Sequence, residues 1–189
     1  MQFGSVIRLE DGRRYTKVTG EDGGRVMVQL NNVTVIPSFD DVEIITLELP
    51  DETSITSVDA DNITAAVDNC EAWFDRDVPK KTLTAAYVSS LKESNMNVSK
   101  ATVNGKVVTR IYDSSRTVIE SSDLEAMQKC DVILEYSGLW FAKKTFGPIW
   151  RLAQIRLKSK PKPVYPDEYL FQGDEVSEQD DQENDADFV

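Results

Sequence analysis

Short apolar runs separated by turn residues dominate the first fifty positions. Phe3–Leu9, Arg13–Thr19, Arg25–Ile36 and Val42–Leu49 are rich in Val, Ile, Thr and Tyr and predict four strands. Glu10-Asp11-Gly12, Gly20-Glu21-Asp22-Gly23-Gly24 and Pro37-Ser38-Phe39-Asp40-Asp41 punctuate them with turn chemistry. The period then changes from two to that of a helix. Ile63, Val67, Cys70, Trp73 and Phe74 share one helical face, with Asp59 or Asp61 as the expected cap. Pro79 opens a second helix carrying Leu83, Tyr87 and Leu91, which Asn95–Asn97 should end.

The later half returns to strands. Val98–Val103 and Lys106–Tyr112 flank Asn104-Gly105, a pair suited to the positive φ of a type I′ hairpin turn. Ser122-x-x-Glu125 has the form of a capping box and predicts a short helix ending near Cys130. Val132–Phe141 and Ile149–Lys158 are the last two strands. The expected fold is α+β, mainly β: an OB-like antiparallel barrel of about five or more strands with helical insertions, and an acidic tail. Residues 1–158 would form this domain and 159–173 a proline-rich, extended linker. Residues 174–189 hold too little apolar surface to order themselves and are expected to be disordered.

Charge sharpens this picture. The chain has 189 residues and a net charge of -12. Ten of its 33 acids lie from Asp167 onward, a stretch with no base, which leaves 23 acids against all 21 bases in the rest. Residues 143–162 hold seven bases and no acid. A basic segment therefore abuts an acidic one.

The central constellation is 136–156, where aromatic and basic residues interleave over two strands and their connection. A flexible single strand needs flat rings for its bases and cations for its phosphates. Tyr136, Trp140, Phe141, Phe146 and Trp150 are the candidate stacking residues. Lys143, Lys144, Arg151, Arg156, Lys158 and Lys160 are the candidate phosphate contacts. Strand alternation would put Tyr136 and Trp140 on one face with Gly138 between them. Arg151 and Arg156 have opposite parity and can share a face only across a bulge.

The tail offers a second constellation: Asp180, Asp181, Glu183, Asp185 and Asp187 with Phe188 near the end. It gives a partner one apolar anchor among carboxylates. It can also fold back on the basic groove and compete with nucleic acid in a salt-dependent way.

These residues resemble the single-stranded DNA-binding proteins of replication systems, notably the T7-type phage family, in which an acidic C-terminus ending in an aromatic follows an OB-type domain. The run from Cys130-Asp131-Val132 through Gly138-Leu139-Trp140 to Phe146-Gly147-Pro148-Ile149-Trp150-Arg151-Leu152-Ala153-Gln154-Ile155 is similar to the C-terminal strand pair of such proteins from phages and large DNA viruses. The resemblance covers about Val103–Arg156 plus the tail. It implies coating of template strands, removal of hairpins, and recruitment of polymerase, helicase or primase through the tail, in the host cytoplasm or a viral replication compartment. Val189 after Phe188 departs from the pattern, which ends on the aromatic itself.

Other classes have less behind them. The chain has no His, which removes the usual general base and commonest metal ligand. Gly20-x-x-Gly23-Gly24 reads as a turn rather than a phosphate loop. Asp59/Asp61 and Asp40/Asp41 could join a nuclease metal site, but capping and turns account for them. No catalytic residue, metal or cofactor is expected, nor a membrane span. Cys70 and Cys130 read as buried thiols. The alternative function is a virion or assembly structural protein using the β-domain and the acidic tail for protein contacts. The oligomeric state stays open, a homo-oligomer included.

Overall fold

Two long strands organise the molecule, Gln128–Phe141 and Phe146–Leu157, because their alternating buried and exposed positions suit a sheet with one face inside. The structure, a computed structural model, describes residues 1–37, 44–120, 124 and 127–159. Among these the strands are β1 (Gln2–Phe3), β2 (Ile7–Arg8), β3 (Arg14–Thr19), β4 (Val26–Pro37), β5 (Ile44–Glu48), β6 (Asn95–Lys100), β7 (Thr102–Val103), β8 (Lys106–Val107), β9 (Arg110–Tyr112), β10 (Val118–Ile119), β11 (Gln128–Phe141) and β12 (Phe146–Leu157). The helices are α1 (Thr53–Asp68), α2 (Cys70–Phe74) and α3 (Lys80–Ala86), all between β5 and β6.

Five strands pair in a circuit. β11 pairs with β4, β4 with β5, β5 with β6, β6 with β12, and β12 again with β11. Four of these ladders are antiparallel. The β6–β12 pairing is parallel, as is β9 on β12, so the expectation of a wholly antiparallel sheet is corrected. β11 and β12 are long enough to serve two neighbours each. β11 leaves β4 after Tyr136 and takes up β3 from Gly138 to Phe141. The change of partner coincides with a bulge between Tyr136 and Gly138. Gly138 sits at φ 139, and a Cβ there would lie 1.8 Å from the Thr16 carbonyl oxygen, so only glycine lets β3 approach.

One apolar cluster fills the circuit, including Val35, Leu47, Met96, Leu134, Tyr136, Trp150, Leu152 and Ile155. A second lies under the helices, with Ala66, Cys70, Trp73, Leu83, Leu139, Phe141 and Phe146. Rings meet edge-on there, Trp73 on Phe141 and Phe74 on Phe146, with centroids 5.7 and 5.3 Å apart.

Several sequence expectations are relocated. α1 begins at Thr53, where Asp51 Oδ1 accepts the Thr53 N–H at 2.9 Å, so Asp59 lies mid-helix and buried rather than capping. The second expected helix ends at Ala86, and Asn95–Asn97 open β6 instead of closing a helix. Asn104-Gly105 does form a left-handed turn, at φ 51 and 75, but joins only the two-residue strands β7 and β8. Gln128–Cys130 begin β11 rather than end a helix, because their backbone pairs with Val33–Val35. Ser122, Glu125, the turn at 38–41 and its Asp40/Asp41 pair lie outside the described residues. Cys70 and Cys130 are buried and unpaired with each other. Burial pushes the Cys130 thiol up to about 12.

Candidate nucleic-acid interface

Four of the five candidate stacking aromatics are inside. Tyr136, Phe141, Phe146 and Trp150 are buried, none more than 7% exposed, and are corrected from stacking platforms to core. The Tyr136 hydroxyl donates to Asn62 Oδ1 at 2.5 Å, and Trp150 Nε1 donates to Ser90 Oγ at 2.9 Å. Both belong to a polar junction centred on Asp59. Its Oδ1 accepts from the Tyr87 and Ser90 hydroxyls at 2.7 and 2.5 Å, and its Oδ2 from the Ser89 hydroxyl and Ser90 N–H at 2.8 and 2.9 Å. Burial pushes the Tyr136 and Tyr87 hydroxyls up in pKa, so they remain donors at any working pH.

Strand alternation breaks at the bulge, so Tyr136 and Trp140 do not share a face as expected. One extra residue between Tyr136 and Gly138 turns Tyr136 inward and leaves Trp140 on the outer face, half-buried. There Trp140 stands opposite Tyr15 of β3, also half-buried, and residues directly opposed across a ladder share a face. The indole lies over Gly147, where a Cβ would come within 2.9 Å of Trp140 Cζ2.

Around these two rings runs a trough. A cavity of about 640 Å3 is lined by Arg13, Arg14, Tyr15, Trp140, Ile149 and Arg151, among others. A second of about 610 Å3 shares Tyr15, Ile149 and Arg151 and adds Lys17, Arg25, Glu135 and Ser137. A third of about 480 Å3 continues from Trp140 and Ile149 to Lys92, Asn97 and Ser99. Ile149 lines all three, so they adjoin one another over residues of β3, β11, β12 and β6 and together make up the trough.

The cations of the trough differ in how committed they are. Arg14 is structural: it donates to the Trp73 carbonyl, lies 3.8 Å from Asp75 and stacks over Phe141 at 5.9 Å. Arg13 pairs with Asp11 at 2.6 Å, and its hydrogen bonds hold the Asp11 carboxyl below the usual range. Arg25 is 3.7 Å from Glu135, the one carboxylate lining these three cavities among the described residues. Lys17 and Arg151 have no side-chain hydrogen bond or ion pair among the described residues.

The remaining candidates divide by place. Lys143 and Lys144 are exposed in the tight connection closed by the Ala142 N–H to Thr145 carbonyl bond at 2.8 Å, outside the trough walls. Arg156 and Lys158 lie at the other end of the β11–β12 ladder, where both meet Asp131, at 2.6 and 3.2 Å. Arg151 and Arg156 both face out, because a register shift at Ala153 supplies the bulge their parity requires. Lys160 and the tail residues Asp180, Asp181, Glu183, Asp185, Asp187 and Phe188 lie outside the described residues. Sequence reasoning missed Tyr15, Lys17, Arg13 and Arg25. The signal was the run Arg13-Arg14-Tyr15-x-Lys17, outweighed by the longer acid-free stretch at 143–162.

Among the described residues no group of three or more Cys, Asp or Glu side chains is placed to hold a metal ion, and no helix is long and apolar enough to cross a membrane. The model of a family of unknown function, DUF5871, matches residues 28–173. No curated protein sequence matches the chain. Among solved structures, the chain is similar to the single-stranded DNA-binding protein from bacteriophage Enc34, at 10% identity and a TM-score of 0.48, covering 89% of this chain and 96% of that one. The C-terminal truncation of that phage protein gives 11% identity, TM-score 0.48 and coverage of 86% and 96%. Its complex with single-stranded DNA gives 10%, 0.44, and 87% and 96%.

Proposed function

We propose that this chain, which belongs to the DUF5871 family of unknown function, binds single-stranded DNA in the trough, without sequence preference and without catalysis. One observation carries the reading: Tyr15 and Trp140 stand side by side on an outer sheet face, flanked by Lys17 and Arg151, whose charges no described side chain neutralises. Bases of any identity can stack on such rings, each worth about 1–3 kcal/mol. Phosphates would take the cations, releasing counterions and making affinity fall steeply with salt. The strand circuit, with its first, second, third, fifth and fourth members joined in that order and the third parallel to the fifth, supports naming the domain an OB-like barrel.

On this reading the protein coats template strands during viral DNA replication in the host cell. The acidic tail shields the trough when DNA is absent and recruits polymerase, helicase or primase when DNA displaces it. A second reading, an assembly protein, is favoured by four exposed valines, Val103, Val107, Val108 and Val118, in and beside the β7–β10 region.

Fluorescence anisotropy with labelled oligo-dT at two salt concentrations tests the primary reading. Tight binding at low salt is expected, weakened about tenfold or more by Lys17→Glu with Arg151→Glu. A wild-type protein that leaves oligo-dT unbound at low salt would leave the assembly reading in its place.

A further inference from the structure

The outer face that carries Trp140 continues along β11 and β12 beyond the trough, and its far half has its own ring and its own cations. Outward positions there form two rows: Gln29, Ile133, Gln154 and Arg110 across four strands, and Asp131, Arg156 and Tyr112 across three of them. Alternation on β9 buries Ile111 and leaves Tyr112 half-exposed. Between these rows and the β9–β10 turn lies a cavity of about 270 Å3, walled by Tyr112, Arg116, Asp131, Ile133, Gln154 and Arg156, among others. That is near the lower end of small-ligand cavities, about 300–1,000 Å3, and suits one flat group rather than a whole extended ligand.

The electrostatics of this half are those of a phosphate contact. Arg116 is exposed and has no side-chain partner among the described residues. It sits in a turn at φ 67, held because Asp113 Oδ1 accepts the Ser115 and Thr117 N–H groups at 2.8 Å each, which occupies that carboxylate within the turn. Asp131 is met by two cations, Arg156 and Lys158, so the cluster keeps a positive excess. The amides of Gln29 and Gln154 supply neutral donors and acceptors at the rim, suited to a base edge of any kind.

We propose that this is a second station for the same single strand, built on Tyr112 and Arg116, so that longer strands follow the β11–β12 ladder from the Trp140 end to the Asp131 end. The inference rests on the trough reading above. Trp140 and Ile133 are seven positions apart on β11, about 23 Å of strand. A short oligomer therefore fills the trough alone, and a longer one reaches both stations. Glu135, with Arg25 beside it, marks the boundary between them.

The test compares oligo-dT of about 5 and about 20 nucleotides, bracketing the span of one such domain. The full chain is compared with a variant carrying Arg116→Asn and Gln154→Glu. Both sites are exposed, and Asn tolerates the left-handed backbone at 116, so thermal unfolding should show an unchanged midpoint. The expected result is a loss of about tenfold for the long oligomer, with a shallower salt dependence, and less than about twofold for the short one. An unchanged long-oligomer affinity, or equal losses at both lengths, overturns the second station. Wild-type protein that binds neither length overturns the trough reading instead, so the two failures are distinguishable.

Discussion

The two faces of β11 use the same residue types for opposite ends. Inward, Tyr136 is fully buried, its hydroxyl satisfied by Asn62 and its ring 5.0 Å from that of Trp150. Outward, four positions along, Trp140 lies half-exposed beside Tyr15, flanked by Lys17 and Arg151, which have no side-chain partner among the described residues. Inside, the polar tips of Tyr136, Tyr87 and Trp150 are tied to the Asp59 junction, as buried polar groups require. Outside, unpaired charge is tolerated because water solvates it, and it is available to a polyanion. An aromatic and basic composition alone does not separate these uses. The partners of the polar atoms do.

The comparison breaks most severely at its hinge. Gly138→Ala places a Cβ against the Thr16 carbonyl in a backbone region L-residues rarely adopt, and should cost on the order of 4 kcal/mol by denaturant unfolding. Because β3 carries Tyr15, oligo-dT binding should fall with it. Asp59→Ala attacks the inner face. It leaves two serine hydroxyls, the Tyr87 hydroxyl and a backbone N–H without their acceptor, an expected loss of about 3 kcal/mol. Trp140→Ala attacks the outer face and should do the reverse. Stability changes by less than about 1 kcal/mol, while oligo-dT affinity drops about 5- to 100-fold.

A smaller effect separates the two ends of the ladder. Partial burial works to raise the Asp131 carboxyl, but bonds from Arg156, the Asn32 N–H and Lys158 outweigh it and hold the pKa below the usual range. A carboxylate whose folded pKa is depressed contributes stability above its unfolded value, about 3.9, and loses it as pH falls through the lower folded value. Asp131→Asn should thus cost about 1 kcal/mol near neutral pH and progressively less below pH 4 in acid unfolding curves. The smallest effect concerns the tail. Deleting residues 174–189 should raise oligo-dT affinity a few-fold at low salt and leave it unchanged at high salt, and equal affinity at low salt would remove the self-competition idea.

Much of the strand order was legible because period-two patterns and Gly or Asn turns mark it directly, as at Arg13–Thr19 and Asn104-Gly105. The trough was legible only in part. Trp140 and Arg151 stood out from their neighbourhood in the sequence, but only Gly138 marks the bulge after Tyr136, nothing local marks the one at Ala153, and both invert the faces around them. Tyr15 and Lys17 join the site only through β3–β11 pairing across more than a hundred residues, which no local pattern announces. Asp59 misled for the same reason. Its donors come from residues 87–90, so a residue type favoured at helix starts serves mid-helix as an acceptor.

Intrinsic fluorescence during an oligo-dT titration tests the central claim most directly, because Trp73 and Trp150 are 2% and 5% exposed and Trp140 alone of the three lies on the outer face. Stacking of a base on Trp140 predicts quenching in the wild-type protein, and its disappearance in Trp140→Phe while anisotropy still reports binding. Binding without quenching, or quenching that persists in Trp140→Phe, would contradict the account.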